Sequence, residues 1–149
     1  MRTVIGNRAG GSSMNYRIIG DSCMDLTEAQ RKDPHFILIP FTLMVEDHQF
    51  VDDKNFNQKE FLKIVKESPE CPKTACPSPE TFKEAYCCEE ENVFVITISS
   101  HLSGCYNSAV LAKNLYEEEH GDAKKIYVFN SKSASIGETL IGMKIQEFE

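Results

Sequence analysis

NVFVITISSHLSGCYNSAV, at residues 92–110, is the stretch that decides the fold, because a strand, a polar turn and the start of a helix follow one another within it. Its first part, VFVITI at residues 93–98, is almost entirely β-branched or aromatic and does not alternate with polar residues. That pattern is typical of a parallel strand covered on both faces. We therefore predict that this strand lies at the centre of a sheet.

A turn of small polar residues follows this strand and leads into apolar residues at helical spacing. A strand that ends at the N-terminus of a helix can hold an anion there, because the first amides of the helix have no partner within it. A purely structural interpretation stays equally open, in which Ser103 caps the helix while Ser99 and Ser100 form the turn. A nucleotide-binding domain is a weaker interpretation, because neither GxGxxG nor GxxxxGKS/T occurs in this stretch.

Strand and helix patterns alternate over the rest of the chain, which indicates the α/β class. The predicted architecture is a mainly parallel sheet, built by right-handed βαβ crossovers, with helices on both faces. Ligands of such sheets bind beyond the carboxyl ends of the strands. Three loops have that position, namely Asp21 with Ser22, residues 99–104 and residues 130–135.

Proline residues determine the secondary structure that we predict for two further segments. The apolar run at residues 36–45 contains Pro40, which predicts a strand end or an edge strand there. Residues 68–79 are rich in proline and cysteine. This second segment is predicted to lack regular structure, because proline removes backbone donors and fixes φ.

The chain is acidic, with a net charge of −7 and a pI near 5.1. An acidic balance without a basic cluster argues against nucleic acid or an anionic membrane as a partner. No apolar run is long enough to span a membrane. Asp52 and the acidic run at residues 89–91 are expected at the solvated surface.

Six cysteines are present, but the adjacent Cys87 and Cys88 suit a disulfide poorly and no signal-peptide pattern accompanies them. We therefore expect free thiols and a cytoplasmic location. The sequence has no CxxC pair and its four histidines are scattered, so no metal site is predicted.

The two ends of the sequence carry separate expectations. Residues 1–13, MRTVIGNRAGGSS, show no periodicity and are predicted to be an expression leader before a native start at Met14. The final helical pattern reaches Glu149 without a capping or stop signal. Residues 14–149 are therefore expected to be one α/β domain that has been cut short, whose uncovered apolar surface favours self-association.

Five segments match the motifs of one known family, in the family's order and across nearly all of residues 14–149. They are IIGDS at 18–22 with Asp25 and Leu26, IPF at 39–41 with Asp52, KTACPSP at 73–79 with Phe82, ISSHLSGCYNSA at 98–109, and NSKSASIG at 130–137. Together they resemble the DegV family of fatty-acid-binding proteins. The SSHLSGCYNSA segment is the most specific of the five.

This resemblance implies a two-domain α/β protein, of which the chain is similar to the N-terminal domain without the second domain. Family members hold a long-chain fatty acid in a buried tunnel and present its carboxylate to a separate fatty-acid kinase, with no chemistry and no other cofactor of their own. By this likeness the hydroxyls of Thr74 and Ser103 bind the carboxylate. The edge of the same pocket is formed by Asp21, Ser22, Ser99, Ser100 and Gly104.

The chain departs from the family pattern at four positions and keeps Thr74 and Ser103. The departures are Gly20 where Thr is usual, Cys76 where Gln is common, Cys105 where Thr is usual and Asn130 where Asp is usual. They leave carboxylate binding in place and change the neighbours of the head group.

Cys105 suggests an alternative function, in which the protein is an enzyme with a cysteine nucleophile. A thiol at a helix N-terminus has a lowered pKa and can act as a nucleophile, with His101 as its base, in a thiol-dependent hydrolase or acyltransferase. The other interpretation is a small residue that packs beneath the helix. Selective alkylation of this cysteine distinguishes the two.

Overall fold

Residues 15–149, the part of the chain that the computed structural model describes, form seven strands and five helices. The strands are β1 (Tyr16–Asp21), β2 (Phe36–Ile39), β3 (Thr42–Val45), β4 (His48–Val51), β5 (Lys73–Ala75), β6 (Asn92–Thr97) and β7 (Lys125–Asn130). The helices are α1 (Glu28–Lys32), α2 (Gln58–Glu67), α3 (Pro79–Tyr86), α4 (Cys105–His120) and α5 (Ile136–Phe148). The predicted leader at residues 1–13 and the predicted start at Met14 lie outside the described residues.

The main sheet contains four parallel strands in the order β2-β1-β6-β7. β6, the strand of the deciding stretch, lies between β1 and β7, so its predicted central position is confirmed. The strand is apolar without alternation because it is covered on both faces.

Helices cover both faces of this sheet, as the alternating pattern predicts. On one face, Ile19 and Val95 pack in a core with buried residues of α3 and α4. On the other face, Ile18 and Ile96 form a second core against which Ile141 of α5 packs. The α/β class with a mainly parallel sheet is therefore confirmed.

β3, β4 and β5 form a second, smaller antiparallel sheet in the order β4-β3-β5. The apolar run at residues 36–45 is divided at Pro40, so that β2 is an edge strand of the main sheet and β3 is the centre of the small one. The prediction that residues 68–79 have no regular structure is wrong at β5, where Thr74 is paired with Leu43. The residues between Pro72 and Pro77 retain their backbone donors, and an edge strand tolerates prolines at its ends.

Glu90 corrects the expectation that the whole acidic run at residues 89–91 is solvated. Its side chain is 6% exposed and forms an ion pair with Arg17. The Lys124 ammonium also donates a hydrogen bond to the backbone carbonyl oxygen of Glu90 at 2.7 Å. Asp52, the other expected surface acid, is half-buried.

Candidate functional site

The three loops that follow the parallel strands meet at one edge of the main sheet. The Ser99 amide donates to the Ser133 carbonyl at 2.8 Å. Asn130 and Ser100 form a reciprocal pair, with the Ser100 amide 3.2 Å from Asn130 Oδ1 and Asn130 Nδ2 2.7 Å from Ser100 Oγ. The loops after β6 and β7 therefore contact each other at the carboxyl ends of their strands.

Asp21 lies beneath this edge and ties the loops together. Its carboxylate is completely buried and accepts hydrogen bonds from three donors. They are the Cys23 amide at 3.0 Å, the Ile98 amide at 2.7 Å and the Cys105 thiol at 3.3 Å. Asp21 thus connects the end of β1 to both sides of the turn at residues 99–104.

Glu138, in the first turn of α5, is a second completely buried carboxyl group at this edge. Its Oε1 accepts a hydrogen bond from the Ser135 amide at 3.1 Å, and its side chain contacts that of Asp21. Burial, and then the neighbouring charge of Asp21, raises the pKa of Glu138 to about 8. Sequence reasoning missed Glu138, although the spacing of Ser135 and Glu138 has the form of a capping box.

The turn at residues 99–104 is held mainly by its own polar groups. Ser99 is buried, and its hydroxyl accepts from the His101 amide at 3.3 Å. Its carbonyl accepts from the amides of Leu102 and Ser103 at 2.9 and 3.2 Å. The hydrogen bonds of Ser99 and Ser100 are therefore made within the loops, where they hold the conformation of the turn.

Helix α4 begins at Cys105, with Gly104 at the N-cap position, one residue later than the structural interpretation of this turn predicts. Ser103 still serves the helix end, because its Oγ accepts from the Cys105 amide at 3.2 Å. The amides of Gly104, Tyr106 and Asn107 donate no hydrogen bond to any described residue. These free amides carry the partial positive charge of the helix N-terminus.

Cys76 brings the end of β5 to this helix terminus. Its Sγ lies 3.9 Å from Ser108 Oγ. A Cβ atom placed on Gly104 would lie 3.6 Å from the same Sγ, so the backbone of the turn passes closely over Cys76. Thr74, two residues before Cys76 and exposed, therefore belongs to a strand that ends against the first turn of α4.

Ser22 borders a separate pocket of about 520 Å³. Its hydroxyl accepts from the Phe41 amide at 3.0 Å. The other lining residues are four apolar ones, Leu26, Phe36, Leu38 and Pro40, and four charged ones, Arg31, Asp52, Asp53 and Lys54. Thr74 and Ser103 do not line this pocket.

Cys105 does not have the environment of a nucleophile. Its side chain is completely buried, and its thiol donates to the Asp21 carboxylate. Burial, and then the negative charge of Asp21, raises the pKa of the Cys105 thiol, which favours the unreactive protonated form. His101 is exposed and contacts the turn through its backbone. The structure therefore argues against the thiol hydrolase or acyltransferase interpretation, and Cys105 is a small residue packed beneath the helix.

Within residues 15–149, no group of three or more His, Cys, Asp or Glu side chains is arranged to hold a metal ion. None of the helices in this described part of the chain is long and apolar enough to cross a membrane.

The family model described as "uncharacterised protein, DegV family" matches residues 15–148. The chain belongs to the DegV family. A DegV domain-containing protein of Streptococcus pneumoniae is 38% identical over 123 residues, a match that covers 81% of this chain and 43% of the relative. The chain thus spans about half the length of the curated relatives it matches.

Solved DegV structures show the same fold. A DegV family protein from Ruminococcus gnavus, refined with vaccenic acid, is 50% identical with a TM-score of 0.86, over 90% of this chain and 48% of that one. The Streptococcus pneumoniae Fatty Acid Kinase (Fak) B3 protein, loaded with linoleic acid, is 36% identical with a TM-score of 0.75. That match covers 90% of this chain and 50% of that one.

Proposed function

We propose that this chain binds the carboxylate of a long-chain fatty acid at the N-terminus of α4. The observation that carries the proposal is the set of free amides at Gly104, Tyr106 and Asn107 beside the Ser103 hydroxyl. Ser103 Oγ accepts one hydrogen bond from within the turn, so its own proton remains available to a ligand. Fatty acids bound to the related R. gnavus and S. pneumoniae proteins support this choice of ligand.

Thr74 and Ser103 are the two proposed carboxylate ligands. The contact of Cys76 with the first turn of α4 supports this pairing, because it joins the strand of Thr74 to the turn of Ser103. Gly104 is proposed to offer its amide and an open surface to the same head group. We propose that three residues, Ser99, Ser100 and Asp21, hold the turn in the conformation that the site needs. Ser22 is proposed to lie at the edge of the site.

The two parts of the ligand contribute differently to binding. Each charge-assisted hydrogen bond to the carboxylate is worth roughly 1.5–3 kcal/mol. Burying about 14 methylenes at ~0.8 kcal/mol each contributes roughly 11 kcal/mol, part of which is offset by association entropy. The acyl chain therefore dominates the affinity, while the hydroxyls orient the carboxylate. Because the matches cover about half of each relative, we assign to this chain only the contacts that its own residues supply.

The test combines native mass spectrometry with calorimetry. We expect a long-chain fatty acid to co-purify with the protein after gentle extraction. Ser103→Ala and Thr74→Ala should each weaken binding of vaccenic acid by roughly ten- to a hundredfold, because each removes one hydrogen bond to a charged group. Thr27→Ala is the matched control, since it removes a hydroxyl cap from α1, away from the site. Unchanged affinity and an unchanged carboxylate chemical shift in both site variants would overturn the proposal.

We also propose a role beyond binding, from the likeness of this chain to the S. pneumoniae Fatty Acid Kinase (Fak) B3 protein. The bound carboxylate would be presented to a separate fatty-acid kinase that forms the acyl phosphate, while this chain performs no chemistry. The name of the related S. pneumoniae protein supports this partner. The test incubates the lipid-loaded protein with a bacterial fatty-acid kinase and ATP. Acyl phosphate should form only when both proteins are present, and its formation at an equal rate without this chain would refute the role.

A further inference from the structure

Asp21 and Glu138 form a pair of carboxyl groups with no access to water. Both side chains are 0% exposed, and they contact each other where the end of β1 meets the first turn of α5. Glu138 Oε2 has no hydrogen-bond partner among the described residues. Two ionised carboxylates can only accept hydrogen bonds, whereas a protonated Glu138 has an O–H that can donate to the Asp21 carboxylate.

The surroundings decide which group carries this proton. Asp21 accepts hydrogen bonds from two amides and a thiol, and such donors stabilise an ionised carboxylate. Glu138 accepts from the Ser135 amide alone. The proton therefore belongs to Glu138, which donates it to Asp21.

The other titratable groups around this pair are acids. Asp25 and Cys23 face it from the segment after β1, with Asp52 beyond Cys23. Cys105 faces it from α4. Asp25 and Asp52 oppose a second negative charge at this point, and the two thiols stay protonated and bring no positive charge to offset it, which agrees with a neutral Glu138.

We propose that Glu138 is a positioning residue of the head-group site, which steadies Asp21 through the shared proton and releases the turn at residues 99–104 when that proton is lost. The connection runs through Asp21, which holds the Ile98 amide on one side of the turn and the Cys105 thiol on the other. With both carboxyls ionised, repulsion separates α5 from the sheet edge. The head-group part of this inference rests on the proposed function.

The first experiment follows the proton itself in the whole chain without ligand. Carbon NMR of the glutamate carboxyl groups should show Glu138 titrating near pH 8, well above the exposed glutamates. The amides of Ile98 and Gly104 should shift with the same midpoint. In Glu138→Gln, whose side-chain amide still donates to Asp21, both should stay constant. Glu118→Gln, at an exposed position of α4, is the matched control and should behave as wild type.

The pH dependence of stability gives a second measure of the same proton. With its pKa raised from 4.5 to about 8, Glu138 should keep in the folded state a proton that the unfolded chain releases above about pH 4.5. The free energy of unfolding should therefore fall as pH rises from about 5 to 8, with a slope that corresponds to roughly one proton taken up on folding. Glu138 titrating with the exposed glutamates, or an unchanged slope in Glu138→Gln, would overturn the shared proton.

The second experiment measures vaccenic acid affinity against pH. Above the titration midpoint the affinity of the wild type should fall about tenfold per pH unit, while Glu138→Gln should keep its affinity. Equal pH profiles in the two proteins would overturn the positioning role and leave the proposed function intact. Absence of binding at every pH would overturn the proposed function and the head-group role together, whereas the carboxyl titration decides the shared proton in either case.

Discussion

Replacement of Asp21 by Asn should destabilise the fold strongly although it changes a single atom. The carboxylate accepts on both oxygens, from the Cys23 amide on Oδ1 and from the Ile98 amide and Cys105 thiol on Oδ2. An asparagine has one acceptor oxygen, so its NH₂ group must face a backbone N–H in either orientation. The variant therefore loses at least one charge-assisted hydrogen bond and leaves a buried donor without a partner.

The expected magnitude follows from these two losses. A hydrogen bond to a charged group contributes about 1.5–3 kcal/mol, and an unsatisfied buried donor costs about 1–3 kcal/mol. The two contributions overlap, so we expect Asp21→Asn to lower the free energy of unfolding by about 3 kcal/mol. For a chain of 149 residues this loss corresponds to a decrease in Tm of roughly 6–12 °C.

Urea denaturation at neutral pH measures this loss, with Asp122→Asn as the control because Asp122 is exposed in the loop after α4. Asp21→Asn should shift the denaturation midpoint without changing the slope. The variant should also make Cys105 more accessible to thiol reagents, because the turn above it is no longer tied down. A loss within about 0.5 kcal/mol of the control would refute the assignment of Asp21 as the residue that connects the loops.

Three further predictions concern packing around the site. Tyr86→Phe should cost about 1 kcal/mol, because the buried hydroxyl donates to an α4 carbonyl at 2.9 Å, and urea denaturation should show no such loss for the exposed Tyr127→Phe. Gly142→Val should cost about 1–3 kcal/mol in the same assay, because even its Cβ would lie 3.0 Å from an aromatic carbon of β2; an unchanged midpoint would contradict this packing. Iodoacetamide at neutral pH should label the exposed Cys71 well before the buried Cys105, and the opposite order would revive the nucleophile interpretation.

Local patterns were sufficient for the framework of the fold. The unbroken β-branched run of β6 and the proline between β2 and β3 each act within a few residues, because backbone geometry is a property of neighbouring residues. The alternation of strands and helices then determined that the carboxyl ends of β1, β6 and β7 meet at one edge. Thr74 and Ser103 are proposed as ligands from the sequence, through its likeness to the family motifs.

Burial and pairing over long distances were decided by the tertiary structure alone. β5 exists because β3 offers it a partner, and Glu90 is buried because Arg17, 73 positions away, reaches it. Cys105 has the local sequence of a reactive thiol at a helix N-terminus, yet it is an inert donor to Asp21, 84 positions away. Glu138 lies at the sequence position of a capping residue, yet it is a buried acid because it also packs against Asp21, which is distant in sequence. The charge state of each of these groups depends on desolvation and on its neighbours in space, and the order of residues along the chain does not specify those neighbours.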